Sequence, residues 1–96
     1  DIHLKENISL VNEDKTKKLM NLQTNEFTFK DDPSKQIHYG FIAQDFEKEY
    51  PELVFIKPDK TLKNIKAINY LEIIPLLVNK IQLMQKEIDE LKGKLK

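Results

Sequence analysis

Residues Ile74–Leu95 read IPLLVNKIQLMQKEIDELKGKL, and this stretch decides the fold class. Ile74, Leu77, Ile81, Met84, Ile88, Leu91 and Leu95 recur in alternating steps of three and four. That spacing is a helical period with an apolar residue at every a and d place of a heptad. Ile74, Ile81, Ile88 and Leu95 fall at a; Leu77, Met84 and Leu91 fall at d. The unbroken seam predicts a helix that packs against copies of itself. Glu87 at g and Lys92 at the following e can pair between parallel helices. Lys86, Asp89 and Glu90 charge the opposite surface, which weighs against a helix simply buried on its own domain. The periodicity leaves the number of helices open. Isoleucine at a with leucine at d favours a parallel dimer. Val78 at e and Leu83 at c widen the stripe, as three helices or a helix also packed on its own domain would need.

Working back from the seam, the helix is expected to start near Asn69, since Asn69 and Glu72 have capping-box spacing. Pro75 should kink it or delay its regular start, because proline lacks an N–H and crowds the preceding turn. Leu53–Ile56 and Thr61–Lys66 flank Lys57-Pro58-Asp59-Lys60, which is hairpin turn chemistry. Gln44–Tyr50 reads as a short helix stopped by Pro51. Ahead of it, Glu26–Lys30 alternates with Phe27 and Phe29 on one face, and a second strand is expected at Gln36–Ala43. Asp31-Asp32-Pro33-Ser34 would turn between them. Gly40 inside that strand suggests the close approach of another backbone, or a bulge. Asn12 is the natural cap of a helix over Glu13–Leu22, with acidic residues in the first turn and lysines after them. Leu19, Met20 and Leu22 would supply its buried side. Asp1–Val11, with Ile2, Leu4, Ile8, Leu10 and Val11, reads as extended or partly strand-like. The expected fold is α+β: short helices and small antiparallel hairpins, then a long C-terminal helix. It is one domain over 1–96, with an α+β part at 1–68 and a coiled-coil helix at 69–96.

A chain of 96 residues buries only about 60–65% of the surface its unfolded form exposes. It contains no cysteine, so disulfides and a cysteine zinc site are ruled out. Association with further copies is the remaining common way to add buried apolar area. Sixteen basic residues balance sixteen acidic ones, which argues against a nucleic-acid or anionic-membrane partner. Lys15, Lys17 and Lys18, and likewise Lys57, Lys60, Lys63 and Lys66, are interrupted by other residue types and read as solvated faces. No apolar run approaches the ~20 residues that span a bilayer, and no signal peptide is recognisable. His3 and His38 form no metal set with nearby carboxylates, and no cofactor is expected.

Two local patterns matter together. One is Asp1-Ile2-His3-Leu4-Lys5-Glu6-Asn7-Ile8. The other is Gly40-Phe41-Ile42-Ala43-Gln44-Asp45, followed by Tyr50-Pro51-Glu52-Leu53-Val54. Ile68-Asn69-Tyr70 and Ile74-Pro75-Leu76-Leu77 then lead into the heptads. In this order they resemble the intramolecular chaperone, auto-processing domain of phage endosialidases and tail spikes, the peptidase S74 family. The same domain occurs in other viral fibre proteins and in myelin regulatory factor. The resemblance implies a C-terminal domain that trimerises, assists folding of the passenger ahead of it, and cuts itself free at its own N-terminal boundary. It tips the helix count to a parallel trimer. It also implies a viral setting, in the host cytoplasm during assembly and then in the virion, with a non-viral origin left open.

The family's opening motif is a serine, then Asp or Asn, then a short stretch to a lysine and an Ile/Val position. Asp1 matches the residue after the serine, Lys5 the lysine and Ile8 the apolar position. The serine would stand immediately before Asp1, and the sequence does not contain it. The chain therefore reads as the released fragment, as one that begins a residue late, or as one altered at that residue. His3 stands where the family commonly has arginine, which puts any role of that arginine in doubt here.

A serine hydroxyl is a poor nucleophile until a neighbouring base takes its proton. Lysine can be that base only when desolvation lowers its pKa from about 10.4. The resemblance implies Lys5 in this role, with burial supplied by assembly. Taken alone, Lys5 is an ordinary surface lysine. Asp1 would position the serine or Lys5, or else be a plain cap aspartate. His38 stands where some viral members carry a histidine and would assist proton transfer, or else be a hydrogen-bonded strand histidine. Gln44 reads as structural, at the passage from strand to helix. The alternative function is a structural trimerisation module that never cleaves. A DNA-binding oligomer has no support in the balanced charge.

Overall fold

Asn12 starts the first α-helix as its position suggests: its side-chain oxygen accepts from the Asp14 backbone N–H at 2.8 Å. In the computed structural model, which describes residues 1–95, helix α1 spans Glu13–Lys17 and tightens into a 3-10 turn over Lys18–Asn21. The regular helix is thus shorter than the expected one, although the helical stretch ends close to the same place. Strand β1 (Asn25–Phe27) pairs antiparallel with β2 (His38–Gly40), matching Asn25 to Gly40 and Phe27 to His38. Helix α2 (Ala43–Glu49) follows, and Pro51 opens a 3-10 turn over Pro51–Leu53. A second antiparallel pair joins β3 (Val54–Pro58) to β4 (Asn64–Ile68). Helix α3 then runs from Tyr70 to Lys94. The fold is α+β, with two separate two-stranded sheets and one long C-terminal helix.

Several local expectations give way. No strand forms in Asp1–Val11, which holds a 3-10 turn over Ile2–Leu4 and otherwise runs irregular and exposed. It joins neither sheet, although each two-stranded sheet leaves edges open. The second hairpin turns later than expected: β3 continues through Pro58, and the Asp59 carboxylate accepts the N–H groups of Thr61 and Leu62 at 3.0 and 2.8 Å. Asn69 makes no side-chain cap, so the capping box with Glu72 does not form. Pro75 neither breaks nor delays α3. Its missing N–H leaves the Leu71 carbonyl without a helical donor, and Leu71 is exposed, so water can serve instead.

The core is small. Phe46, Tyr50 and Ile73 are its buried apolar residues, surrounded by half-buried Leu19, Leu22, Phe41, Leu53, Val54, Ile68 and Leu76. Polar contacts at its edge tie elements together. The Tyr50 hydroxyl donates to the Lys15 carbonyl, joining α2 to α1. Burial, with Glu52 and Glu49 nearby, pushes the Tyr50 phenol up from its ordinary value. An ion pair of Lys66 and Glu47 at 2.6 Å fixes β4 against α2. Together the elements before α3 form a head.

Helix α3 carries two faces. Ile73 is buried, and Leu76, Asn79, Lys80 and Leu83 are half-buried on the side towards the head, against which α1 also packs. The expected seam lies elsewhere: Ile74, Leu77, Ile81, Met84, Ile88, Leu91 and Leu95 are each at least 44% exposed. The radius of gyration is 17.9 Å, against about 12–13 Å for a compact chain of this length. The accessible surface is 8621 Å², against about 5,800 Å² for a compact monomer of 11.4 kDa.

Candidate functional site

Asp1 opens the N-terminal 3-10 turn. One oxygen of its carboxylate accepts from the His3 backbone N–H and meets the His3 ring Nδ1, both at 2.8 Å. The short side chain of aspartate reaches the N–H two residues on, which is what a cap requires. Within the single chain, then, the cap reading of Asp1 is the one realised. Lys5 ends the same turn, its backbone N–H donating to the Ile2 carbonyl at 3.2 Å. Its side chain is exposed and makes no hydrogen bond or ion pair among the described residues. Asn7 takes a left-handed backbone, φ 54°, which asparagine tolerates better than most residues. It redirects the chain towards α1.

His38 sits apart from this turn, on β2. Its ring lies 6.0 Å from Phe27 and 4.8 Å from Phe29, centroid to centroid. The two phenylalanines meet edge-on at 5.3 Å, although the strand expected over Glu26–Lys30 ends at Phe27 and leaves Phe29 outside it. His38 is a strand histidine held by aromatic packing, and no hydrogen bond links it to Asp1 or Lys5. Beside it runs an open groove of about 650 Å³ between the two hairpins, lined by Phe41, Phe55, Lys57 and Lys66 among others. The site residues expected at the two places are thus not gathered in one chain. Gln44 lies in α2 and also lines that groove.

Gly40 and Tyr70 form the point where head and helix lock. A Cβ at Gly40 would stand 2.8 Å from the Tyr70 hydroxyl oxygen and 3.3 Å from the Phe27 ring. The glycine admits side chains, so neither a second backbone nor a bulge is the reason for it. The Tyr70 hydroxyl accepts from the Phe41 N–H at 3.2 Å, and the two rings stack at 6.0 Å. This pairing joins residues 29 apart, and no local pattern signals it.

Among the described residues there is no group of three or more His, Cys, Asp or Glu placed to hold a metal ion. No described helix is long and apolar enough to cross a membrane.

The sequence model of one protein family, described as the chaperone of endosialidase and classed as peptidase S74, matches residues 1–55. The match covers the N-terminal turn, both strands of the first hairpin, α2 and the start of β3. No curated protein matches the chain. The residues that carry the resemblance through Leu53 and Val54 thus lie inside the matched span, and the chain belongs to the chaperone-of-endosialidase family.

Proposed function

We propose that this chain is a C-terminal intramolecular chaperone that assembles as a parallel homotrimer through α3. It would hold the passenger ahead of it in the same precursor, a viral fibre or spike, in register while that passenger folds. It would then release itself by cutting at its N-terminal boundary. The observation that carries the reading is the exposed seam of α3 on a member of this family. Seven apolar residues in heptad register face solvent, while a different face of the same helix already serves the head. A monomer has no use for the first face.

The geometry of the N-terminal turn suits the cut. A serine immediately before Asp1 in the precursor would stand at the mouth of a tight turn that ends at Lys5. Its hydroxyl oxygen would attack the adjacent carbonyl while Lys5 Nζ takes the proton. The proton would pass to the departing amide nitrogen, and water would hydrolyse the ester. A lysine acts so only when desolvated. Lys5 is exposed in the single chain, so its desolvation would come from neighbouring copies, making assembly the trigger. Asp1 would orient the turn through His3, and His38 would act only if a neighbouring copy brings it near.

The test is to express the precursor with and without Lys5→Ala, reading fragment mass by mass spectrometry and assembly by light scattering. The expected result is a cut trimer from the unmodified precursor and an uncut trimer from the variant. Unimpaired cutting in the variant would remove Lys5 from the mechanism. An uncut trimer from both would leave a structural trimerisation module.

A further inference from the structure

The β1–β2 hairpin leans over the first turns of α3 without closing on them. Between them lies a groove of about 570 Å³, with Asn25, Tyr39 and Gly40 on one wall and Tyr70, Ile73 and Leu77 on the other. Tyr39 is 77% exposed and Leu77 44%, so the lips are apolar and open. In heptad terms Tyr70 and Leu77 are d positions and Ile73 is the g position between them. The groove is therefore a sideways extension of the seam.

The flanking positions of the seam change character at its level. The e positions are Leu71 and Val78 at the level of the groove, but Gln85 and Lys92 further along. The g positions are Ile73 beside the groove, then Lys80, Glu87 and Lys94. Apolar e and g residues thus occur only where the hairpin overhangs the helix. In a parallel coiled coil, a g residue lies beside the e residue five positions later on the neighbouring helix. Glu87 and Lys92 have that relation, and so do Ile73 and Val78.

We infer that this groove receives Val78 from the α3 helix of a neighbouring copy, so that each head is completed by its partner's helix. Val78 is exposed in the single chain and is not among the apolar residues packed against the core. A second copy is the fitting occupant for two reasons. The apolar e residue stands at the height that parallel register demands. The chain also exposes 8621 Å², an excess over a compact monomer well above the ~800 Å² per partner of a standard interface. The partner's Val78 would press against Tyr39 and Leu77 and seal the space above Ile73. Assembly would then be felt at the β1–β2 hairpin, and not along the coiled coil alone.

This inference rests on the parallel-trimer reading, and its test separates the two. Val78→Asp and Gln85→Asp change the same heptad place one turn of the pattern apart. Assembly of each full chain is followed by sedimentation against concentration. Val78→Asp should raise the concentration for half-assembly at least about tenfold, a modest result for an unpaired carboxylate in an apolar site, while Gln85→Asp leaves it nearly unchanged. Equal, small effects would overturn the groove and spare the trimer. A monomeric unmodified chain would overturn both.

A second measurement holds if Val78→Asp fails to fold. Tagged chains with Tyr39→Cys are co-refolded with untagged chains carrying Val78→Cys and mildly oxidised; the chain has no other cysteine. A dominant tagged–untagged disulfide is expected. A yield no higher than that of Tyr39→Cys with Lys86→Cys, on the far face of α3, would overturn the inference and assign the groove to some other occupant.

Discussion

Gly40 shows how one missing methyl group joins the head to the helix. Its hydrogen leaves space for the Tyr70 hydroxyl, which the Phe41 N–H holds in place. Gly40→Ala forces a carbon into contact distance with an anchored hydroxyl and the Phe27 ring. The expected cost is about 1–3 kcal/mol, the usual range for overpacking a filled site, measured as a shift in denaturant midpoint at fixed protein concentration. Asp59 gives a pH signature at the same scale. The Leu62 and Thr61 N–H groups bind its carboxylate and lower its pKa from the ordinary value. A lowered folded value means stability that is present above about pH 4 and lost as pH falls through the folded pKa. The Ser34 hydroxyl and N–H lower Asp32 in the same direction in the first hairpin. Protection of the amides in both turns, after correction for the intrinsic pH dependence of exchange, should fall below about pH 4 and remain flat between neutral pH and that point. Asp59→Asn should abolish the acid limb in the second turn alone.

Helix α3 is the element on which the rest depends, because two apolar stripes share it. The stripe through Ile73, Leu76 and Leu83 serves the head, and the stripe through Ile74, Leu77 and Ile81 remains open. Ile81→Asp lies in the open stripe, so it should abolish assembly while the far-ultraviolet spectrum of the head persists. Loss of the head's own fold at low concentration, with assembly intact, would contradict the division. The seam was legible in the sequence because a three-four period repeats locally, as do the alternation around Phe27 and the turn residues near Asp32 and Asp59. The head-facing stripe was not, since Ile73, Leu76 and Leu83 sit among seam residues and only tertiary packing tells them apart. Asp1–Val11 has the apolar content of a strand, yet it joins neither two-stranded sheet. The link between Gly40 and Tyr70 crosses 29 residues, beyond any local signal. The candidate site was legible only as a motif. Asp1 and Lys5 share one turn, but nothing in the spacing showed that His38 would stand on a separate sheet among phenylalanines.

At the scale of the molecule, Phe46, Tyr50 and Ile73 are a slender buried apolar core among the described residues of a 96-residue chain. A radius of gyration of 17.9 Å describes a head with a projecting arm, not a closed globule. The proposed function gives that shape a purpose: a chaperone acting by holding copies of its own chain together would gain nothing from a monomeric fold. The seam, the groove beside it and the solvated Lys5 are all features that a neighbouring copy would change. The other features follow from assembly, and the mass of the particle in solution is its most immediate measure. Sedimentation equilibrium or light scattering at micromolar concentration should give three times the chain mass of 11.4 kDa. A mass equal to one chain across the accessible concentration range would make the chain a monomer and rule out assembly through α3.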